Sequence, residues 1–177
     1  MAEPSGIYVI AELAGELRES VAAVQRAHDP RLAALWPPHV TILGSSGAGP
    51  ILSDTPPDEL RDVFAPVIER SAPLTLRFGA PYRFAGRDIV VLPLDPHGPL
   101  RALHEALRAS GVRTHQARYP FTPHCSLTMY PPLSREREQQ LLSLRFDAPL
   151  RVDRLRVVLT RLPQPARLLF DVELGAP

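Results

Sequence analysis

Apolar residues alternate or recur at helical spacing along most of the chain, and these two periods predict the order of its elements. Residues 6–12 are rich in β-branched and aromatic side chains, which predicts a strand. The next apolar residues recur at the spacing of one helix face, which predicts a helix that ends near Ala27. They are Leu13, Leu17, Val21 and Val24. Strand and helix therefore succeed each other from the start.

Three further helices are predicted from a start signal followed by an apolar stripe. Prolines and acidic residues at 56–59 begin the first, and residues 96–98 lead into the second, which Gly111 ends. Ser134 is typical of an N-cap and begins the third. The stripes comprise Leu60, Val63, Phe64, Val67 and Ile68, then Leu100, Leu103 and Leu107, then Leu141, Leu142 and Leu144. His104 lies beside the second stripe, and we expect it to be a surface residue or a partly buried one with a satisfied partner.

The remaining apolar runs are β-rich and bounded by turn residues, so they predict strands. The runs are residues 39–43, 74–78, 82–84, 87–94, 123–130, 150–161 and 166–174. Turn residues near 85–88 and 162–165 predict hairpins. Helices interleaved with hairpins favour an α+β fold with antiparallel or mixed sheets over a doubly wound parallel fold.

The order of the elements also repeats along the chain. Strand 39–43 is followed by a loop, a helix and strands near residues 75 and 90. Strand 123–130 is followed in the same way by a loop, a helix and strands near residues 155 and 170. We therefore expect a single domain over residues 1–177 with two lobes, in which a duplicated unit packs about a pseudo-twofold axis around a central cleft.

Composition narrows the class of protein. A chain of 177 residues that is 45% hydrophobic is long and apolar enough for one globular domain. With 20 basic and 19 acidic residues, no global field attracts nucleic acid or a membrane surface. The single cysteine excludes an internal disulfide, no run is long enough to span a bilayer, and the first ten residues show no cationic-then-apolar leader. We expect a cytoplasmic protein.

Two segments share a pattern of proline, histidine, any residue and a hydroxyl residue. They are Pro38-His39-Val40-Thr41 and Pro123-His124-Cys125-Ser126. None of the other four histidines has both neighbours, which makes chance a poor explanation. Because alternate side chains of a strand share a face, His39 lies beside Thr41. His124 lies beside Ser126 in the same way, and we expect all four in the cleft, with Cys125 in the core.

At these residues the chain resembles the two-histidine phosphoesterases, the group that includes 2′-5′ RNA ligase-like proteins and cyclic nucleotide phosphodiesterases. The motifs that carry the resemblance are His39-Val40-Thr41-Ile42 and His124-Cys125-Ser126-Leu127. It implies a LigT-like, two-lobed α+β fold and chemistry without a metal or cofactor. It also implies an RNA end or a small cyclic nucleotide as partner, with a 2′,3′-cyclic phosphate or a 2′-5′ linkage as the reacting group. No obligate protein partner is expected.

Two facing imidazoles suit hydrolysis of a cyclic phosphodiester. One takes a proton from water while the other protonates the departing ribose oxygen, and an ordinary pKa of about 6.5 allows both states near neutral pH. Thr41 and Ser126 would each donate a hydrogen bond to a phosphate oxygen. We assign His124 as base and His39 as acid for hydrolysis, with the roles exchanged for ligation.

Further substrate contacts are expected near the motifs. The second motif continues with Thr128-Met129-Tyr130, where many relatives place an arginine. The residues proposed for substrate binding are Tyr130, Arg118, Tyr119, Arg135 and Trp36. Of these, Arg118, Tyr119 or Arg135 would replace the missing arginine, and the aromatic rings could stack on a base.

Two other classes of function remain open at this point. A binding module could keep the cleft for RNA or nucleotide ends without turnover. A serine or cysteine hydrolase would need a nucleophile elbow, and neither residues 44–47 nor Cys125 provides one. The glycine- and serine-rich residues 44–50 could cradle a phosphate, but they lack the lysine of a P-loop, so we interpret them as a flexible surface loop.

Overall fold

The computed structural model describes residues 5–175. The strands are β1 Gly6–Glu12, β2 His39–Leu43, β3 Leu74–Leu76, β4 Tyr82–Arg83, β5 Val90–Pro93, β6 His124–Thr128, β7 Leu150–Val152, β8 Arg154–Thr160 and β9 Arg167–Glu173. The helices are α1 Gly15–His28, α2 Pro30–Leu35, α3 Pro57–Arg70, α4 Pro99–Arg108 and α5 Arg135–Leu142. The four predicted helices are confirmed, and α2 is an additional one.

The short helix α2 is explained by its first residues. Asp29 accepts a hydrogen bond from the Leu32 backbone N–H at 2.9 Å, as an N-cap does, and Pro30 occupies the first helical position. The Asp29 carboxylate is fully buried, and its other oxygen accepts from the backbone N–H groups of Met129 and Tyr130 at 2.7 and 2.9 Å. One side chain therefore begins α2 and fastens it to the end of β6.

The strands form two sheets and a separate ribbon. One sheet has the order β2-β1-β8-β9, the other has the order β4-β5-β6, and β3 pairs with β7. Every pairing between these strands is antiparallel, so the predicted α+β class with antiparallel sheets is confirmed. The predicted hairpins also form, as β4–β5 and β8–β9.

Two of the predicted strands differ from the structure. The run at 150–161 divides at Asp153, because β7 pairs with β3 whereas β8 pairs with β1 in another sheet. The run at 74–78 ends at Leu76, where its pairing with Leu150 ends. In both cases the partner strand is distant in the chain, and local alternation does not reveal where a run changes sheets.

The two halves of the chain exchange strands. The order β1-α1-β2-α3-β3-β4 is followed by β5-α4-β6-α5-β7-β8, with α2 inserted in the first half and β9 added to the second. Strand β4 belongs to the first half but pairs with β5 of the second half. Strand β8 belongs to the second half but pairs with β1 of the first half. The strand near residue 90 is β5, which corresponds to β1 and begins the second half, whereas the sequence pattern placed it at the end of the first half. We propose that this order reflects an internal duplication within one two-lobed domain.

Both faces of β1 are buried, which explains why its alternation of polar and apolar residues is weak. Ile7, Val9 and Ala11 join the main core, which gathers residues from both sheets. Tyr8 and Ile10 face the other way into a smaller cluster under α2. That cluster also contains Leu32, Leu35, Trp36 and Val158. The smaller cluster supports one wall of the cleft described below.

Gly44 follows β2 directly and is required by its backbone and its neighbour. Its φ is 132°, a conformation that side chains rarely adopt, and a Cβ there would lie 2.6 Å from Cδ1 of Tyr8. We expect Gly44→Ala to lower the free energy of unfolding by about 2 kcal/mol, measured by urea denaturation.

Gly86→Ala is the matched control for this substitution. Gly86 has a φ of 69°, and a Cβ there would meet no atom of the described residues within 4 Å, so only the backbone preference is lost. The loss should be smaller than at Gly44. Equal losses in the two variants would show that contact with Tyr8 does not require the glycine.

Candidate active site

The two motif strands each lie at an edge of their own sheet and pack against each other across one cleft. His39 and Thr41 on β2, and His124 and Ser126 on β6, all line this cleft. These four side chains are partly exposed, whereas the residues between them, Val40 and Cys125, are fully buried. The structure thus brings together the four residues that the sequence singles out.

A one-residue bulge follows the hydroxyl residue in both motif strands. Ile10 lies opposite Thr41 and Val9 opposite Leu43, so Ile42 is the extra residue in β2. The pairing of β5 with β6 has the same irregularity, with Leu127 as the extra residue. Bulges bend a strand and redirect its side chains, and they are common beside active sites. The two strands are therefore shaped alike where they face the cleft.

Each imidazole is held by the backbone two residues before it. Nδ1 of His39 lies 2.7 Å from the carbonyl oxygen of Pro37, and Nδ1 of His124 lies 2.7 Å from that of Thr122. Because a carbonyl only accepts, Nδ1 is the donor in each neutral ring, and Nε2 carries the free lone pair. Both histidines are therefore set as the same tautomer.

The prolines of the motifs account for this geometry. A residue before proline is restricted to extended backbone, and this restriction applies to Pro37 before Pro38 and to Thr122 before Pro123. The proline is thus part of the chemical motif, since it helps to present the carbonyl that orients the histidine.

Burial keeps both imidazoles neutral in the free protein. It lowers the pKa of His39 from 6.5 to about 4, against the opposing effect of the hydrogen bond to Pro37. The nearby His124 lowers the pKa of His39 further, and Glu12, its neighbour on β1, raises it. Burial also lowers the pKa of His124, against the hydrogen bond to Thr122. Near pH 7 both histidines can accept a proton.

An aromatic ring supports each histidine in a different geometry. Trp36 lies 4.9 Å from the His39 ring at an interplanar angle of 30°, and the Trp36 ring packs edge-on against Tyr8. Phe84 meets the His124 ring edge-on at 5.1 Å, and Tyr82 packs edge-on against Phe84. The rings restrict the motion of the imidazoles and exclude water from one side of each.

A known protein family matches the part of the chain that contains these residues. The sequence model of the 2′-5′ RNA ligase superfamily matches residues 11–162, a range that includes both histidine motifs. The chain belongs to this superfamily. The resemblance to two-histidine phosphoesterases seen in the motifs is therefore confirmed. No curated protein matches the chain.

Solved structures share the fold of this chain over almost all of its length. Escherichia coli LigT complexed with 3′-AMP has 17% identity and a TM-score of 0.65, covering 98% of this chain and 100% of that chain. LigT in apo form has 18% identity and a TM-score of 0.63, covering 99% and 100%. A structure described as a phosphoesterase has 18% identity and a TM-score of 0.57, covering 98% and 100%. At these identities the likeness concerns the fold alone.

Two further observations apply only to the residues that the structure describes. Across residues 5–175, no group of three or more His, Cys, Asp or Glu side chains is placed to hold a metal ion. The helices of the same range are all too short or too polar to cross a bilayer.

Of the residues proposed for substrate binding, the structure places Trp36 in the cleft and the other four outside its lining. Tyr130 packs against the smaller cluster, with the guanidinium of Arg31 4.2 Å above its ring. Tyr119 is 56% exposed, and its hydroxyl accepts a hydrogen bond from Arg87. The remaining two, Arg118 and Arg135, are exposed. Their roles in binding remain predictions.

The interpretation of residues 44–50 as a flexible surface loop is wrong. Most of these residues are buried, and Ser45 reaches the cleft. The N–H of Gly47 donates to the carbonyl of Tyr119, and that of Gly49 donates to the carbonyl of His115. The loop is therefore fastened by its backbone to the segment before β6, and these two amides are not available to a phosphate.

Residues from distant parts of the chain also line the cleft, and the motifs did not reveal them. They are Tyr8, Gln25, Leu32, Ser45 and Met129. Gln25 could have been found, because it continues the stripe of Leu17 and Val21 at four-residue spacing. A polar residue within an apolar stripe of a helix indicates a buried hydrogen bond. His104 interrupts the stripe of α4 in the same way. It is fully buried, so the expectation of a surface or partly buried position is wrong, but it has a partner, since its Nδ1 lies 2.7 Å from the carbonyl oxygen of Ile42.

Cys125 lies in the core, as expected. Its side chain is fully buried, and burial raises the pKa of the thiol to about 12. The thiol is therefore protonated near neutral pH and faces away from the cleft, which excludes it as the nucleophile.

The low pKa of His39 can be measured directly. We expect the imidazole of His39 to titrate near pH 4 in the free protein, because burial disfavours its charged form. The measurement is a proton–nitrogen NMR titration, with the signal assigned from its absence in His39→Ala. A midpoint at or above 6.5 would contradict the description of a desolvated neutral ring.

Proposed function

We propose that this protein is a phosphoesterase that acts on 2′,3′-cyclic phosphate or 2′-5′ linked RNA or nucleotide substrates by general acid–base catalysis. The observation that carries the proposal is the pair of identically tethered imidazoles in one cleft, each beside a hydroxyl side chain. Other structures of E. coli LigT are described as complexes with 3′-AMP, ATP, NADP+ and phosphate. A shared fold that holds nucleotides in LigT supports a nucleotide substrate here.

In hydrolysis, Nε2 of His124 takes a proton from a water molecule while the oxygen of that water forms a bond to phosphorus. His39, in its protonated form, gives the Nε2 proton to the ribose oxygen as the bond between that oxygen and phosphorus breaks. The hydroxyl groups of Thr41 and Ser126 donate to the non-bridging phosphate oxygens, whose charge grows in the transition state. No metal is needed for any of these steps.

The acid form of His39 depends on the substrate. In the free protein burial opposes protonation of both rings, but the negative phosphate between them favours a positive imidazole. The phosphodiester thus helps to create the charge state that catalysis requires. A cleft without an anion holds two bases, whereas the occupied cleft holds a base and an acid.

Removal of either imidazole should abolish most turnover. We expect His39→Ala and His124→Ala to lower kcat for a nucleoside 2′,3′-cyclic phosphate by about 10²- to 10⁴-fold, because each removes one proton transfer. The assay is chromatography of the nucleoside monophosphate product in buffer containing EDTA. His97→Ala, at an exposed histidine outside the cleft, is the control and should match the parent.

Each alternative outcome has a distinct meaning. Binding of the cyclic phosphate without turnover by the parent protein would replace the proposal with a binding module. Turnover that disappears with EDTA would contradict the metal-free mechanism. A double variant lacking both imidazoles that still acts at the parent rate would exclude acid–base catalysis by these histidines.

The pH dependence of kcat/KM should be bell-shaped with its maximum below pH 6.5. In the active form of the free enzyme, one of the two imidazoles of His39 and His124 must carry a proton. The pKa of each lies below the ordinary value of 6.5, and that of His39 is about 4. The activity therefore falls as pH rises past 6.5, since both rings are then neutral. The maximum of kcat should lie at higher pH, because bound phosphate raises both pKa values. A maximum of kcat/KM above pH 7 would contradict this explanation.

A further inference from the structure

We propose that Gln25 and His104 are positioning residues that hold the two motif strands in register across the cleft, an inference that rests on the proposed function of that cleft. Neither side chain belongs to a histidine motif. Each extends from a helix and donates a hydrogen bond to a backbone carbonyl of a motif strand, beside its bulge.

Gln25 connects α1 to β6. Its Nε2 donates to the carbonyl oxygen of Ser126 at 2.8 Å, which fixes the orientation of the amide because a carbonyl only accepts. The side chain is only 3% exposed, and its Oε1 has no hydrogen-bond partner among the described residues. A buried amide oxygen without a partner is destabilising, and a leucine would continue the stripe without that penalty. The hydrogen bond that Nε2 donates therefore explains why this position is a glutamine rather than a leucine.

His104 connects α4 to β2 in the corresponding way. Its Nδ1 lies 2.7 Å from the carbonyl of Ile42, the bulged residue of β2, and it donates to that oxygen. The ring is fully buried and stacks on Phe121 at 4.0 Å, with an angle of 18° between the planes. Nε2 has no partner within the part of the chain that the structure describes, and a Cβ at Gly47 would come within 2.3 Å of it. The hydrogen bond from Nδ1 and the stacking on Phe121 hold the ring in place.

The two hydrogen bonds cross between the halves of the chain. α1 precedes β2 but reaches β6, and α4 precedes β6 but reaches β2. As edge strands, β2 and β6 each have one side without a neighbouring strand, so a side chain can bind there. Each bond joins a helix of one half to the motif strand of the other, and the pair sets the separation of the two strands.

The consequence for catalysis concerns geometry. The carbonyl that Gln25 holds belongs to Ser126 itself, and the one that His104 holds directly follows Thr41. A shift of either strand would move a hydroxyl donor and an imidazole relative to the phosphate. Displacements of about 1 Å can reduce catalysis about 10²-fold, so loss of a tether should affect kcat more than KM.

His104 gives the cleaner test, because it does not line the cleft. We expect His104→Leu to lower kcat for a nucleoside 2′,3′-cyclic phosphate between about 10-fold and 100-fold, with KM within about twofold. His104→Asn keeps an N–H near the position of Nδ1 and should restore kcat to within about threefold of the parent. Leu107→Val removes buried volume from the same helix without removing a donor, and it should leave kcat unchanged.

Amide hydrogen exchange provides a readout that does not depend on turnover. His104→Leu should speed exchange at residues 41–43 of β2 more than Leu107→Val does at equal global stability. Gln25→Leu should do the same at residues 125–127 of β6, without speeding exchange in β2. These effects report the tethers even if the parent protein proves inactive on cyclic phosphates, in which case the proposed function fails but the tethers stand.

Two kinetic results would overturn the inference. One is unchanged kcat in His104→Leu when the parent protein is active, because a merely structural role lowers stability without affecting the folded enzyme. The other is a failure of His104→Asn to restore kcat while the variant remains folded. Equal exchange in β2 for His104→Leu and Leu107→Val would likewise show that packing, rather than the donor, is what matters.

Discussion

The architecture of the cleft depends on two edge strands, β2 and β6, that pack side by side without joining into one sheet. Because β2 and β6 are edge strands, each forms ladder hydrogen bonds with a neighbouring strand on one side only. The side that faces the cleft must therefore be held by other contacts. The chain supplies backbone carbonyls that hold the imidazoles, helix side chains that hold strand carbonyls, and the buried carboxylate of Asp29 at the end of β6. All of these contacts are hydrogen bonds with little exposure to water, where they are directional and strong.

The same burial determines the electrostatics. The rings of Trp36, Tyr8 and Phe84 pack around the imidazoles and exclude water from one side of each, and desolvation lowers the pKa values of the imidazoles more than the backbone hydrogen bonds raise them. An anion between the two rings would oppose this effect, because its negative charge favours the protonated form of an imidazole. Orientation and charge state thus have a common origin in the packing of apolar rings around the two histidines.

Local sequence patterns were sufficient to predict most helices and strands. They also predicted that the side chains of His39, Thr41, His124 and Ser126 lie in one cleft. Proline before histidine and a hydroxyl two residues later are short-range signals, and strand alternation assigns the faces of β2 and β6. The bulges at Ile42 and Leu127, the division of a run at Asp153 and the tethers from Gln25 and His104 were not predicted. Each depends on contacts between residues far apart in the chain, such as Gln25 and Ser126, which lie 101 positions apart. Polar residues within the stripes of α1 and α4 were the available signal.

The exchange of β4 and β8 between the halves has a consequence for how the chain could divide or assemble. A fragment that ends after β4 would lack β8, the neighbour of β1, and would expose the edge of an apolar strand. Such an edge is completed most readily by the same strand from a second molecule. Shortening the connection before β5, so that the chain cannot turn back on itself, would therefore favour a domain-swapped dimer, in which every cleft combines the first half of one molecule with the second half of its partner.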